Sequence, residues 1–245
     1  ISERLVGIHF FNPVAQMPLV EVIHAQGTRE DCLKAATGFV RDLDKLPLPV
    51  KSAPGFLVNA VLAPYMLAAM RQVDAGLSAA SIDTAMTRFG MPMGPLELAD
   101  TVGLDIALAA GSTIAQARGE DLSLTLPLCL KSRVDAKQLG KKTGHGFYLW
   151  KDGKREEVGG SKAAGAGSSG SQEALALTLI EPLIAAAQEL VRQGVVDDAD
   201  LADAGIIFGT GFAPFRGGPL HWWSSQSSGQ GQPAAKTETA APTEA

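Results

Sequence analysis

Gly7-Ile8-His9-Phe10-Phe11-Asn12-Pro13-Val14, followed by Leu19-Val20-Glu21-Val22-Ile23, holds two short runs of β-branched and aromatic residues. Asn, Pro and Gln lie between the runs, so the stretch reads as two strands and a connection. Antiparallel pairing centred on Ala15 sets His9 opposite Glu21, and directly opposed side chains on one face of a sheet are within contact reach. A carboxylate beside an imidazole fixes its tautomer and favours proton uptake, which suits a general base at neutral pH. The alternative is two unrelated residues on an edge hairpin. His24 falls on the other face of its strand from Glu21 and reads as a surface histidine.

Working outward, Thr28-Arg29-Glu30-Asp31 marks a helix start, and Leu33, Ala36, Phe39, Val40 and Leu43 recur at helical spacing. Leu46-Pro47-Leu48-Pro49-Val50 is a short extended run. Residues 1–50 therefore read β-β-α-β, too small to close a core alone. Beyond Lys51 the chain turns helical. Pro54-Gly55-Phe56 opens an apolar helix to about Ala75, kinked at Pro64 and stopped by Gly76. Ser78 caps a second helix ended by Phe89-Gly90. Leu96 to about Ala117 is helical with breaks at Gly103 and Gly111, and Leu126–Val134 is one more short helix. Gly140-Lys141-Lys142-Thr143-Gly144-His145-Gly146-Phe147-Tyr148 reads as a loop whose aromatic end tucks back onto the domain.

Residues 151–171 have linker composition. A helix is expected from Glu173 to Arg192, then a capped helix from Asp197/Asp198 to Ile207, then a Gly/Pro turn. This order repeats the earlier one, Gly194 matching Gly76 and Phe208 matching Phe89, as an internal duplication would. The expected organisation is thus an α/β segment (1–50), a helical domain (51–150), a linker (151–171), a second helical repeat (172–223) and a disordered tail (224–245). The chain opens on Ile1-Ser2-Glu3-Arg4 without Met and reads as part of a longer protein.

The 245 residues are 46% hydrophobic and 19% charged, a soluble globular composition. A net charge of −5 with no basic cluster argues against nucleic acid. The apolar stretches are interrupted by Asn59, Pro64 and Arg71, too soon for a membrane span. Cys32 and Cys129 stand apart, without metal-ligand or disulfide spacing, and fit a reducing, cytoplasmic compartment. No metal site is expected. Gly165-Ala166-Gly167-Ser168-Ser169-Gly170 matches a dinucleotide pattern, yet no strand precedes it, so it reads as low-complexity linker. Asn59 reads either as a core hydrogen-bonding group or as an anchor for a ligand carbonyl. His145, between glycines, reads as solvated. His221-Trp222-Trp223 fits either core packing or an interaction surface.

Together these segments resemble the 3-hydroxyacyl-CoA dehydrogenase family. The resemblance is carried by residues 7–14, Val20-Glu21-Val22-Ile23, Pro54-Gly55-Phe56-Leu57-Val58-Asn59, and residues 89–95, 97–105 and 140–148. Residues 209–220 resemble the extra repeat of multifunctional fatty-acid-oxidation complex alpha subunits. The resemblance implies an α/β fragment, the end of a Rossmann-like NAD domain, followed by two related helical dehydrogenase C-terminal-type domains. It implies NAD-dependent oxidation of (S)-3-hydroxyacyl-CoA, with His9 as general base and Glu21 as its orienter. Asn12 would contact NAD at the nicotinamide end, and Asn59 would hydrogen-bond the acyl-CoA. Expected partners are the acyl-CoA substrate and either a second copy or a thiolase-containing β-oxidation complex. The rival readings are a non-catalytic helical assembly module and a β-hydroxyacid dehydrogenase with a CoA-free substrate.

Overall fold

The computed structural model describes residues 2–117, 119, 121–122, 126–156 and 169–229. Strands β1 (Val6–Phe10) and β2 (Leu19–His24) pair antiparallel, with His9 opposite Glu21, the expected register. Strand β3 (Leu46–Lys51) joins β2 in parallel after helix α1 (Glu30–Asp42). The sheet order is β1-β2-β3. Val20 and Val22 face α1 and bury against Val40, while Leu19 and Ile23 face the helical side. Glu21, on that same apolar face, is fully buried. A buried carboxylate needs partners, and they come from the next helix.

Helix α2 (Val58–Asp74) begins at Val58, because residues 54–57 form a turn in place of the helical start expected at Pro54. It continues through Pro64 and ends before Gly76, in the left-handed region. Helix α3 (Ala79–Phe89) is capped by Ser78, whose side chain accepts from the Ser81 N–H. Helices α4 (Pro95–Val102) and α5 (Leu104–Ala117) meet at Gly103 with a bend of 101°. Gly111 does not break α5. It lies buried mid-helix, where an added Cβ would meet Leu126 at 3.4 Å, so its role is packing space. Helix α6 (Leu128–Asp135) starts two residues later than expected, set by Asp74, which accepts from the Leu128 and Cys129 N–H groups.

Residues 140–148 do fold back. The Asp100 carboxylate, fully buried at the middle of α4, accepts from the Phe147 and Tyr148 N–H groups and from the Trp150 indole. This also corrects the start of the expected linker. Strands β4 (Trp150–Lys151) and β5 (Lys154–Arg155) form a hairpin around Asp152-Gly153, both at positive φ, and Arg155 pairs with Glu97. The candidate dinucleotide motif falls largely outside the described residues. Its last two positions, Ser169 and Gly170, already belong to helix α7 (Ser169–Arg192).

Helix α7 is long and apolar enough to span a membrane, an 18-residue window within Gly170–Arg192 having a mean hydropathy of 1.6. The sequence reading overlooked it. Its apolar stripe, including Leu179, Ile180, Leu183 and Ile184, is instead buried with α2 in the core of the helical region. Helix α8 (Ala199–Thr210) is capped by Asp198 and runs three residues past Ile207 to Gly211, its left-handed cap. Helix α9 (Pro219–Gly229) corrects the disordered tail over residues 224–229. Trp222 is buried, and the Ser224 and Ser225 hydroxyls donate back to the His221 and Trp222 carbonyls. The remaining tail lies outside the described residues.

Helices in the two helical segments start in the same way. Asp83 of α3 accepts from the Leu96 and Glu97 N–H groups at the start of α4. Asp203 of α8 accepts from the Leu220 and His221 N–H groups at the start of α9. A carboxylate at a helix N-terminus satisfies orphan donors and complements the dipole. Each approach needs a glycine before the Pro-Leu pair. A Cβ on Gly94 would lie 2.1 Å from Asp83, and one on Gly218 2.3 Å from Asp203. Aligned this way, Phe89 corresponds to Gly209, not to Phe208. Phe89 is buried, whereas Phe208 is 44% exposed. Gly209 and Gly205 let α8 lie tightly on Leu19, Leu48, Leu57 and Val58, so the second unit braces the strand and helix that hold Glu21.

Two stability predictions arise here. Gly94→Ala is expected to cost about 2–4 kcal/mol through overpacking and a lost cap. Gly38→Ala, in α1 with open space around its Cβ position, is expected to gain up to about 1 kcal/mol. Equal urea midpoints for the two variants would refute the steric argument. The second concerns pH. Burial pushes the Asp83 carboxyl up to about 6, against the lowering effect of its hydrogen bonds. The folded state therefore holds a proton that the unfolded chain releases near pH 4. This contribution is fully present below pH 4 and is lost as pH rises through 6, roughly 3 kcal/mol in all. The stability difference between wild type and Asp83→Asn should fall by that order between pH 4 and 7 in urea titrations. A constant difference would exclude Asp83 as the source.

Candidate active site

The Glu21 carboxylate accepts three hydrogen bonds. Its Oε1 receives the Leu57 and Val58 N–H groups at 2.9 and 3.0 Å, and its Oε2 receives His9 Nδ1 at 2.7 Å. Helix α2 has no side-chain cap of its own at Leu57, so Glu21 does that work from the sheet. The backbone that makes this possible is a tight turn. Gly55 and Phe56 both take positive φ (79° and 49°), and a Cβ on Gly55 would lie 2.9 Å from the Ala60 nitrogen. Phe56 is thus a bulky residue in a region it rarely adopts. Strain of this kind persists where the surrounding structure over-determines it, commonly beside functional groups.

The Phe56 ring lies 5.6 Å from the His9 ring, and the Phe11 ring 4.7 Å from it. The imidazole is therefore held on its Nδ1 side by a carboxylate and flanked by two aromatic rings, while its side chain remains 30% exposed. A carboxylate engaged as an acceptor here requires the Nδ1–H tautomer. That leaves Nε2 with a free lone pair, able to accept a proton from a bound molecule. Glu21 stabilises the imidazolium that results, as the orienting carboxylate does in other proton-transfer sites.

The sequence reading placed His9 and Glu21 together, and the structure does so. Asn12 is exposed just past β1, and Asn59 is exposed in the first turn of α2, directly after the two N–H groups on Glu21. His24 is half-buried at the far end of β2, and His145 is exposed. Neither joins the site. The sequence reading missed Phe11, Phe56 and the Leu57 and Val58 amides. One signal was available: an apolar helix opening after Gly-Phe-Leu without Ser, Thr, Asp or Asn requires a cap from elsewhere. Cys129 is a core residue. Its thiol donates to the Met70 carbonyl, and burial pushes its pKa up to about 12, far from a nucleophile's. Among the described residues no cluster of His, Cys, Asp or Glu is placed to hold a metal ion.

Comparison with known proteins places the chain in a family. Residues 1–53 match the family model of the 3-hydroxyacyl-CoA dehydrogenase NAD binding domain. Residues 55–150 match that of the 3-hydroxyacyl-CoA dehydrogenase C-terminal domain. The fatty acid oxidation complex subunit alpha of Pseudomonas syringae pv. syringae (strain B728a) is 36% identical over 91% of this chain and 32% of its own length. That of Pseudomonas aeruginosa (strain LESB58) is 34% identical over 91% of this chain and 33% of its own length. The chain thus spans about a third of these relatives. Among solved structures, Mycobacterium tuberculosis FadB2 superposes with a TM-score of 0.58 at 38% identity, covering 61% of this chain and 53% of that one. The 3-hydroxybutyryl-CoA dehydrogenase of Escherichia coli K12 shares the fold over 91% of this chain and 64% of its own, with a TM-score of 0.75 at 24% identity. The two domain models meet almost end to end across the hairpin, its buried glutamate and the helix that glutamate caps, and by that match the chain belongs to the 3-hydroxyacyl-CoA dehydrogenase family.

Proposed function

We propose that this chain is the C-terminal part of an NAD-dependent (S)-3-hydroxyacyl-CoA dehydrogenase of fatty-acid β-oxidation. The observation that carries the reading is the Nδ1-anchored His9, with Nε2 left free, on a fully buried Glu21. His9 Nε2 accepts the proton of the substrate 3-hydroxyl as the C3 hydrogen leaves with its electron pair. In the reverse direction the imidazolium returns that proton to the 3-keto oxygen. Glu21 keeps the ring in the productive tautomer and balances its charge, while Phe11 and Phe56 restrict its rotation.

NAD, when bound, supplies the hydride acceptor. Asn12, exposed three residues beyond His9, suits a contact at the nicotinamide end, and Asn59 suits a hydrogen bond to the acyl thioester portion. No strand–turn–helix with a glycine-rich phosphate loop occurs among the described residues. In this reading the rest of the full-length protein provides it. We assign residues 1–50 to the end of the NAD domain, the helical residues 51–150 to one wall of the substrate cleft and the second repeat to its support. A homodimer or a thiolase-containing complex in the cytoplasm is the assembly we propose, since the relatives above are named as complex subunits.

The test is direct. The full-length protein should oxidise NADH when given acetoacetyl-CoA, and should do so far less with the CoA-free keto acid. No turnover with either would exclude the dehydrogenase reading. Preference for the free acid would replace the CoA ester as substrate.

A further inference from the structure

Asn12 rides on the connection between β1 and β2, and that connection buries little to hold itself in place. Residues 12–16 are all exposed. Within the turn, the Gln16 and Met17 N–H groups donate to the Pro13 carbonyl at 2.9 and 3.0 Å. At its end the Leu46 N–H donates to the Pro18 carbonyl, where β3 begins to pair with β2. Among the described residues, one side chain from outside the hairpin is hydrogen-bonded to the body of the turn. It is Lys45, whose ammonium donates to the Val14 carbonyl at 2.7 Å and to the Met17 carbonyl at 2.9 Å.

The lysine leaves from a fixed point. Asp44, just beyond α1, takes the left-handed region with φ 55°, and its N–H donates to the Arg41 carbonyl. The Lys45 N–H then donates to the carbonyl of Val40, itself fully buried. These two bonds are those of a Schellman helix end, which fixes the backbone from which the side chain departs. Among the described residues no carboxylate pairs with the Lys45 ammonium. Val14 is exposed and Met17 half-buried, so water can satisfy their carbonyls and a cation is not needed for that. What the ammonium adds is position. Charge-assisted hydrogen bonds are stronger than neutral ones, and two of them tie both sides of the turn to the end of α1.

We propose that Lys45 is a positioning residue for the cofactor, tethering the turn so that Asn12 stands where the nicotinamide end of NAD binds. Its effect rests on the contact between Asn12 and the cofactor proposed above, and is exerted through Asn12.

The test compares four variants of the full-length protein, Lys45→Met, Lys45→Arg, Asn12→Ala and the Lys45→Met/Asn12→Ala pair. Titration calorimetry with NADH gives the affinity, and hydrogen exchange over residues 11–18 reports on the turn without cofactor. Asn12→Ala and Lys45→Met should each weaken NADH binding by about fivefold, near the loss of one neutral hydrogen bond. Exchange in the turn should quicken in Lys45→Met while β2 and α2 keep wild-type protection. Lys45→Arg, which still donates, should restore most of both. In the Asn12→Ala background Lys45→Met should cost less than about twofold more, since residues acting through one another are not additive. Effects that multiply in the double variant would overturn the proposal, as would unchanged exchange in Lys45→Met. Unchanged NADH affinity in Lys45→Met, beside a weakened Asn12→Ala, would overturn the role of Lys45 and leave that of Asn12. Unchanged affinity in Asn12→Ala would remove Asn12 from the cofactor site and the role of Lys45 with it.

Discussion

Replacing His9 with Gln in the full-length protein is expected to lower turnover by about 10²–10⁴-fold, the usual contribution of a positioned general base. The amide of Gln can still donate to Glu21 Oε2, so the buried carboxylate keeps its third hydrogen bond. Because the imidazole is partly exposed and belongs to no core cluster, the urea midpoint should hardly move. The informative result is this separation, activity lost with stability kept. A variant with unchanged turnover would remove His9 from the mechanism. One that unfolds early would make it a structural residue.

Glu21 should behave in the opposite way, and two substitutions separate its duties. In Glu21→Gln the side-chain oxygen can take the Leu57 and Val58 N–H bonds. The amide nitrogen then faces His9 Nδ1 as a donor, so the ring must carry its proton on Nε2 and can no longer accept one there. Turnover should drop on the order of 10²-fold with the fold intact, less than for His9→Gln because an imidazole remains. Glu21→Ala also leaves two buried N–H groups without acceptors. That costs about 2–6 kcal/mol, counting about 1–3 for each group. Urea denaturation together with NADH oxidation tells the cases apart. Equal stability of the Gln and Ala variants would show that the cap on α2 is unimportant.

This coupling ties the His9–Glu21 pair to the junction of sheet and helix. Glu21 serves as helix cap and histidine partner at once, so the position of His9 is set by the packing of α2 against β2. Helix α8 lies on the same elements through Gly205 and Gly209. The second helical unit thereby packs directly against the residues that flank and cap Glu21.

Local pattern was enough for the strand pair, its register, the Ser78 and Asp198 caps and the Gly76 and Gly103 stops. Each rests on neighbours in sequence: alternation along a strand, a hydroxyl or carboxyl before a helix, a glycine after one. The His9–Glu21 pair was legible for the same reason, since a hairpin with a known centre fixes which residues oppose. Gly111 misled because glycine in a helix is read as a break, whereas here it makes room for Leu126. The tail misled because Ser-rich sequence reads as disorder. A remote carboxylate, Asp203, starts its helix, and buried Trp222 anchors it.

What the sequence by itself determined about this protein is the succession of elements and the opposition of His9 and Glu21 across the hairpin. Only the tertiary structure decided what completes the site: the Leu57 and Val58 amides on Glu21, and the Phe11 and Phe56 rings around His9. It also decided that Asp83 and Asp203 cap the starts of α4 and α9, and that Asp100 fastens the segment from Phe147 to Trp150. The reason is physical. Amide donors are present at every residue, so nothing in their identity marks which ones a buried carboxylate will meet. That depends on how a strand and a helix more than thirty residues apart approach each other, here Glu21 and Leu57 with a separation of 36.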